Sequence, residues 1–348
     1  MSIGYKLDNR RIRMKRMVLL AATALSLGVV NLSAAQAASG PDFSSDRVVV
    51  IVKATTSQFW ATVFDGATAA QKVLGVKLSK LGGQAETDVA GEVSIMENAI
   101  STHPTAIVVA ATNAQALAQP IEHATDAGIP VIVIDSKANT DKYVTFLATN
   151  NITGGEKAAD EMAACVQAQT GKQEGDVAYM TFVAGAQSLN DRDHGFVEEL
   201  KKYPGLKIVE HRTGNASPDR ALNDAEDILT RHPKLVGLFA DNEIEGDGAG
   251  RAIQEKNLGS KICAMAFDTS DQEVAFVRNG NLHGLIVQNP YMMGYAGVWY
   301  GLLAAHGAVL PKYVDSGVHV VTKKNIDQPT IVGLLDPKKY KMTAFLGE

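Results

Sequence analysis

The sequence of 348 residues lacks the short motifs that the common classes of enzyme need. It contains no phosphate-binding lysine loop, no nucleophile elbow and no histidine cluster with metal-ligand spacing. Residues 246–250 are rich in glycine, but the glycines are not in the dinucleotide-binding order, and Glu243 and Glu245 beside them would repel a pyrophosphate. We therefore expect these glycines to allow close helix packing, and we predict a protein that is not an enzyme and holds no cofactor.

Long apolar runs are also scarce. The uncharged run over residues 17–30 is shorter than the ~18 residues that a membrane span needs, and no later segment is long and uncharged enough. Basic residues over 10–16 precede this run, and Ala35-Gln36-Ala37 follows it with small residues. This order predicts a secretory signal peptide over residues 1–37, and hence export of the protein.

Positive charge is sparse in the rest of the chain. Removing residues 1–37 takes away six Lys/Arg and one Asp, which moves the net charge from −5 to near −10. A diffuse acidic balance argues against nucleic acid and anionic membrane surfaces as partners. The remaining length, roughly 310 residues, suits two compact cores better than one.

The sequence has only two cysteines, Cys165 and Cys263. In an oxidising compartment an even count permits one disulfide. Both cysteines are predicted to lie in the second half of the fold, so pairing is possible, and two buried thiols are the alternative. Neither has a histidine nearby in the sequence that would indicate a catalytic role.

What the sequence does contain is an internal repeat. Residues 103–113 recur in pattern as residues 232–242, and each copy leads through a helix to an apolar strand that ends in an aspartate, Asp135 or Asp268. A duplicated strand–helix–strand unit predicts two similar α/β lobes. The alternation of apolar strands and amphipathic helices predicts a doubly wound parallel sheet in each lobe.

Three predicted segments connect these lobes. The chain crosses first near residue 150, a helix over 292–306 returns it to the first lobe, and a strand over 318–321 crosses back, which predicts a multi-strand hinge. A further helix is predicted over 192–203, and the tail over 325–348 is expected to pack on the second lobe. The predicted domains are a signal peptide (1–37), lobe 1 (46–149 plus 289–317) and lobe 2 (150–288 plus 318–348).

Polar side chains recur at the predicted strand ends. Ligands of open parallel sheets bind beyond the carboxyl ends of the strands, so these side chains predict a cleft. Carboxylate, amide and guanidinium groups suit a ligand dense in hydroxyls. Phe59 and Trp60 open the first helix, where they either pack into the core or form a stacking face for a sugar ring. The polar residues at the predicted strand ends are Asn113, Asp135, Arg192, Asn242, Asp268 and Gln288.

Several short motifs lie at these same positions. They are Phe59-Trp60, Asp65-Gly66-Ala67, Gly128-Ile129-Pro130-Val131-Ile132 before Asp135, Arg192 before Gly195-Phe196, Phe239-Ala240-Asp241-Asn242, Ala266-Phe267-Asp268, and Gln288 ahead of Pro290. With them the chain resembles the periplasmic sugar-binding proteins of the ribose-binding type, the solute receptors of ABC importers, over residues 48–321. The resemblance implies a type I periplasmic-binding-protein-like fold, a monomer in the periplasm, and an ABC permease in the inner membrane as partner.

The sequence also departs from the ribose receptor. Ser57 and Ala110 stand where that receptor has asparagines, Ser136 where it has an arginine, and Pro218 where it has an aromatic residue, which counts against ribose as the ligand. Lys53 lines up with a sugar-contacting lysine of the arabinose-binding relative, and it either contacts ligand or ends its strand in solvent. A pentose, hexose, polyol or similar small polar metabolite remains open. The calcium loop of the galactose-binding relative has no counterpart, so no metal is predicted.

The resemblance and the residues together predict a solute-binding protein that closes on a small polyhydroxylated ligand and presents it to a permease. A receptor subunit for chemotaxis or signalling is the alternative, and a secreted carbohydrate-active enzyme, with Asp135 and Asp268 as its two carboxylates, is the next. A transcription regulator of the same fold would need a helix-turn-helix headpiece where the signal peptide stands. The predicted ligand-binding residues are Lys53, Ser57, Phe59, Trp60, Asp135, Ser136, Arg192, Asn242, Asp268 and Gln288.

Overall fold

The computed structural model describes residues 42–336, so the predicted signal peptide and residues 337–348 lie outside the described residues. The strands are β1 (Arg47–Ala54), β2 (Lys77–Gly83), β3 (Ala106–Val109), β4 (Val131–Ile134), β5 (Thr145–Ala148), β6 (Gly175–Thr181), β7 (Leu206–Thr213), β8 (Leu235–Ala240), β9 (Cys263–Phe267), β10 (Gly284–Val287), β11 (Tyr313–Asp315) and β12 (His319–Thr322). The helices are α1 (Gln58–Leu74), α2 (Val89–Ser101), α3 (Ala118–Asp126), α4 (Asn151–Thr170), α5 (Gln187–Leu200), α6 (Pro218–Arg231), α7 (Glu243–Glu255), α8 (Asp271–Asn279), α9 (Pro290–Ala305) and α10 (Pro329–Leu335).

The strands form two six-stranded sheets, with the orders β11-β5-β4-β3-β1-β2 and β12-β10-β9-β8-β6-β7. We call the first sheet with its covering helices lobe 1 and the second lobe 2. The same order arises twice, which confirms the duplicated doubly wound α/β fold that the internal repeat predicts. One strand departs from the prediction of parallel sheets: β12 pairs antiparallel with β10. β11 is parallel to β5 in the first sheet, so it ends at the edge where the strands of that sheet end, and only three residues link it to β12 in the second sheet. The chain therefore enters lobe 2 at the carboxyl ends of its strands and must run in the opposite direction to them.

The chain passes between the two sheets three times: from β5 to α4, from β10 to α9, and from β11 to β12. Helix α9 packs on the strands of lobe 1 and on α1. In the tail, Ile326 and Ile331 belong to the hydrophobic core of lobe 2, as expected for the described part of that segment. The domain boundaries given above stay predictions. None of the helices in the described part is both long and apolar enough to cross a membrane.

Both faces of each sheet are covered by helices. In β1, every residue after Arg47 is buried, which is the environment that its continuous run of valine and isoleucine favours. One face of the first sheet packs against α1 and α9, and the other against α2 and α3. Because the sheets are buried on both faces, only the strand ends and the loops that follow them are open to a ligand.

Helices α1 and α9 approach each other closely through two glycines. A Cβ atom added at Gly66 would lie 2.0 Å from the carbonyl oxygen of Tyr291, and one at Gly294 would lie 1.9 Å from that of Val63. Contacts of that length are impossible, so any larger residue must push the helices apart. The glycines of α7 serve the same purpose, since a Cβ at Gly248 would lie 2.6 Å from the backbone of Ala221. The expectation that residues 246–250 allow close packing is thus confirmed.

Gly294→Ala is expected to lower the free energy of unfolding by about 1–3 kcal/mol, because overpacking forces the backbones of α1 and α9 to shift. Urea unfolding followed by circular dichroism measures the change. Ala305→Ser, at the exposed end of the same helix, is the control and should change the free energy by less than about 0.5 kcal/mol. Wild-type stability in Gly294→Ala would contradict the close approach of the two helices.

The two cysteines form a disulfide. Cys165 in α4 is bonded to Cys263, the first residue of β9, and their Cα atoms are 5.8 Å apart. Of the two alternatives left open by the sequence, the bridge is therefore the one in the structure. It links a covering helix to a central strand of lobe 2, at the end of β9 opposite to Asp268.

Helix α5 begins five residues before the predicted start at Arg192. Its N-cap residue, Ala186, makes no capping hydrogen bond through its side chain, so the sequence carries no local start signal there. As a result Arg192 lies in the second turn of α5 rather than at its beginning. Its side chain is buried, and only 2% of the residue is exposed.

Candidate ligand-binding site

A cavity lies between the lobes at the carboxyl ends of the strands. It encloses about 390 Å³ of space between atoms, part of it open to solvent. Residues of both lobes line it. They are Lys53, Ser57, Phe59, Trp60, Glu86, Asp135, Phe182, Ser188, Leu189, Arg192, Asn242, Glu243, Ile244 and Asp268.

Lobe 1 contributes a buried ion pair to the wall of the cavity. Lys53 Nζ lies 2.8 Å from Asp135 Oδ2, and each side chain is 3% exposed. Lys53 also donates to Ser136 Oγ at 2.7 Å. Burial lowers the pKa of Lys53, but the carboxylates of Asp135 and Glu86 outweigh it and raise the pKa above the usual value. Lys53 is therefore a fixed cation, and of the two alternatives from the sequence the solvent-exposed strand end is wrong.

Lobe 2 contributes a second ion pair to the wall of the cavity. Arg192 Nη1 lies 3.3 Å from Asp268 Oδ2, and the guanidinium carbon lies 3.9 Å from the centroid of the Phe267 ring. Arg192 also donates from Nε to Asn151 Oδ1 at 2.9 Å and from Nη1 to the carbonyl oxygen of Asp241 at 2.8 Å. Burial raises the pKa of Asp268, and the charge of Arg192 opposes that rise.

Asp135 and Asp268 share an unusual backbone conformation. Their φ angles are +59° and +77°, in the left-handed region that residues other than glycine seldom adopt. Each directly follows a strand, β4 or β9, in equivalent positions of the two lobes. Strain of this kind is enriched at functional sites, so the duplicated conformation supports a ligand site at these two aspartates.

The aromatic pair lies at the beginning of α1. Phe59 and Trp60 are 9% and 2% exposed, their rings meet edge to face at 4.8 Å between centroids, and both line the cavity. The rings belong to the core of lobe 1, which is the first alternative from the sequence, and they also form part of the cavity wall. Their stacking against a sugar ring stays a prediction. Trp60 Nε1 donates to Glu86 Oε1 at 2.7 Å.

Eight of the ten predicted residues line the cavity, and Ser136 and Gln288 do not. Ser136 is fully buried behind the lobe 1 ion pair, where its Oγ donates to Asp135 Oδ2 at 2.9 Å. Gln288 lines a neighbouring cavity and donates from Nε2 to Asp268 Oδ1. Both residues therefore hold the aspartates in place. The predicted strand-end residue Asn113 is likewise not among the cavity-lining residues.

The remaining predicted residues begin two helices that face the cleft. Ser57 Oγ accepts from the N–H of Trp60 at 3.4 Å and caps α1. Asn242 Oδ1 accepts from the N–H of Glu245 at 3.0 Å and caps α7. The side-chain oxygens of both residues thus cap helices, and both residues line the cavity because these helices begin there.

Sequence reasoning missed two carboxylates. Glu86 follows β2, and the rule that polar residues after strand ends face the cleft could have found it. Burial raises its pKa, while Lys53 and Trp60 Nε1–H act in the opposite direction. Glu243, the first residue of α7, accepts from the N–H groups of Gln58 and Phe59 at 3.1 and 2.9 Å. Burial raises the pKa of Glu243 to about 7, although these two hydrogen bonds lower it.

The cavity is thus lined by four carboxylates and two cations held in fixed positions, with an aromatic wall beside them. The carboxylates can accept charge-assisted hydrogen bonds from the hydroxyl groups of a ligand, and the two cations can donate to the oxygens of such groups. Among the described residues, no group of three or more His, Cys, Asp or Glu side chains is arranged to hold a metal ion.

Comparison with known proteins places the chain in a family. The family model described as a periplasmic binding protein domain matches residues 48–308. A carbohydrate transporter solute-binding protein from Agrobacterium radiobacter, solved with D-arabinose, is 43% identical, with a TM-score of 0.82 over 84% of this chain and 99% of that one. A solute-binding protein of Agrobacterium vitis, solved with D-fucose, is 36% identical, with a TM-score of 0.79 over 83% of this chain and 99% of that one. The ribose import binding protein of Escherichia coli is 27% identical over 79% of this chain and 89% of its own length. The chain belongs to the periplasmic binding proteins, and its two lobes have the type I fold of sugar-binding receptors.

Proposed function

We propose that this protein binds a monosaccharide in the cavity between its lobes and delivers it to an ABC permease. The observation that carries the proposal is that each lobe places one buried ion pair in the wall of the same cavity. The ion pairs are Lys53–Asp135, with 2.8 Å between nitrogen and oxygen, and Arg192–Asp268, with 3.3 Å. A ligand that bonds to both pairs stabilises the closed arrangement of the lobes over an open one. No covalent step is needed.

We propose a pentose or a 6-deoxyhexose as the ligand. Support comes from the two related structures, which hold D-arabinose and D-fucose at 43% and 36% identity. The residues of the cavity agree, because fixed carboxylates bond to hydroxyl pairs while the rings of Phe59 and Trp60 offer an apolar face to the C–H side of a sugar. Export through a signal peptide over residues 1–37, a monomeric state and the permease itself stay proposals.

A thermal-shift screen tests the function directly. The protein lacking residues 1–37 is heated with D-arabinose, D-fucose, D-ribose, D-allose, D-galactose, ribitol and L-glutamate as a non-sugar control. A ligand that binds only the native state raises the melting temperature by mass action, so one sugar should produce a clear increase at micromolar to millimolar concentration. No shift with any sugar, or a shift with glutamate alone, would contradict the proposal. Loss of uptake of the same sugar on gene deletion would distinguish transport from signalling.

Glu86→Gln is expected to weaken the binding of D-arabinose at least tenfold, because it removes the charge from an acceptor in the cavity wall. Calorimetric titration measures the affinity. Glu97→Gln is the matched control, since Glu97 pairs with His123 on the surface of α2 and lies outside the cavity. Equal affinities of wild type and Glu86→Gln would show that Glu86 supports Trp60 without contacting the ligand.

A further inference from the structure

The first turn of α1 carries no acidic side chain of its own. A helix N-terminus has unpaired N–H groups and a positive dipole end, so it favours a carboxylate nearby. Ser57 Oγ accepts from the N–H of Trp60 only. The N–H groups of Gln58 and Phe59 donate instead to Glu243 Oε1 and Oε2, at 3.1 and 2.9 Å. Glu243 belongs to lobe 2, so α1 receives its N-terminal carboxylate from across the cleft.

Glu243 also lies at the N-terminus of its own helix. It is the first residue of α7, directly after the N-cap Asn242, and only 7% of it is exposed. The carboxylate therefore lies between two helix N-termini, one from each lobe. A second bond crosses the cleft beside it, from the N–H of Asp271 in α8 to Gln58 Oε1 at 3.3 Å. The beginning of α1 is thus held by lobe 2 at two points.

We propose that Glu243 is a clasp between the lobes, which stabilises the closed cleft and positions the first turn of α1, with Phe59 and Trp60, for the ligand. This inference rests on the proposed function, because a closed cleft matters only to a protein that opens and closes on a ligand. When the lobes separate, the carboxylate and both N–H groups return to water. The clasp therefore acts on the closed state and slows its opening.

This role makes a kinetic prediction. Removing the clasp leaves the open cleft unchanged, so the rate of ligand association should change little, and the rate of dissociation should rise. In Glu243→Gln the amide nitrogen cannot accept from an N–H group, and the charge that strengthens both hydrogen bonds is lost. We expect dissociation of D-arabinose to become about tenfold faster at pH 8, where the wild-type carboxyl is mostly ionised.

The other side of the contact can be removed without touching Glu243. Gln58 is the first residue of α1, a position at which proline fits because its missing N–H has no partner within the helix. Ser57 before it is extended, with φ −100° and ψ 156°, as a residue before proline should be. Gln58→Pro therefore removes one donor to Glu243. Gln58→Ala, which loses the same side chain but keeps the N–H, is its matched control.

Stopped-flow tryptophan fluorescence with D-arabinose completes the test as a double-mutant cycle. Dissociation should be about threefold faster in Gln58→Pro than in Gln58→Ala, and this difference should be smaller when Glu243→Gln is also present, because glutamine keeps one uncharged acceptor oxygen. If the two effects multiply, Glu243 acts through the ligand and the clasp is refuted. Unchanged dissociation in Glu243→Gln refutes it as well.

A measurement without sugar separates this inference from the proposed function. The population of closed molecules is measured in the ligand-free protein by paramagnetic relaxation enhancement, with a spin label on one lobe and the amides of the other lobe as reporters. Because the clasp stabilises the closed state, we expect the ratio of closed to open molecules to be about tenfold higher in the wild type than in Glu243→Gln, whether or not D-arabinose is the ligand. An equal ratio in the two proteins would overturn the clasp while leaving the proposed function to the thermal-shift screen.

Discussion

Replacing Arg192 with methionine is expected to abolish sugar binding and to lower the free energy of unfolding by about 3–5 kcal/mol. Arg192 is 2% exposed and is the ion-pair partner of Asp268. In the wild type, Arg192 Nη1 donates to both the Asp268 carboxylate and the Asp241 carbonyl oxygen. Methionine fills a similar volume but has no donor, so both acceptors lose this hydrogen bond. The stability loss follows from an uncompensated buried charge, and the binding loss follows from the displaced Asp268.

Two further variants separate the loss of charge from the loss of geometry. Arg192→Lys keeps the charge, but one ammonium group cannot reach Asn151, Asp241 and Asp268 in the planar arrangement that guanidinium allows. We expect it to recover part of the stability and little of the binding. Arg251→Met removes an exposed ion pair with Glu255 on α7 and should change the free energy of unfolding far less than Arg192→Met does. Urea unfolding and calorimetric titration measure both quantities. Wild-type stability in Arg192→Met would contradict the buried role of this side chain.

Removing the disulfide is expected to destabilise the protein by about 2–5 kcal/mol without changing its affinity for sugar. Cys165 and Cys263 are 98 residues apart, so the bridge closes a long loop and restricts the unfolded chain strongly. Cys263 begins β9, and Asp268 follows the other end of that strand, about 16 Å away at the usual rise per residue. The cavity should therefore keep its geometry.

The double variant Cys165→Ala/Cys263→Ala provides the measurement. Its urea midpoint is compared with that of the wild-type protein under oxidising and under reducing conditions. We expect the reduced wild type to approach the double variant, and the oxidised wild type to unfold at clearly higher urea. Identical midpoints for all three samples would show that the bridge adds nothing to stability. A changed affinity in the double variant would show that lobe 2 transmits strain along β9.

Much of the fold could be predicted because the sequence contains the same structural unit twice. The repeated strand–helix–strand unit predicts two lobes, and the aspartates that end its second strand, Asp135 and Asp268, are found at the cavity. These positions depend on local pattern and on the general geometry of parallel sheets. Both are visible in one sequence, which is why eight of the ten predicted residues line the cavity.

The parts of the candidate site that the sequence does not predict depend on the direction in which side chains point. Ser136 and Gln288 lie at the expected places in the chain, but their side chains turn behind the aspartates and hold them. In the sequence Glu243 is apparent only as a charge that would repel phosphate, because nothing there shows that the beginning of α1 lies against it. Contacts between lobes are set by tertiary packing, and no local pattern records them.

The left-handed backbone at Asp135 and Asp268 limits how this cleft can evolve. Glycine, asparagine and aspartate adopt such a φ angle at low cost, whereas a β-branched or bulky residue there would strain the chain. The two anchors of the cleft therefore tolerate few replacements. Any larger change in the ligand that a descendant of this protein accepts must arise at positions with ordinary backbone, such as Ser57 and Glu86. The fold thus separates a constrained part of the binding cleft from an adjustable part.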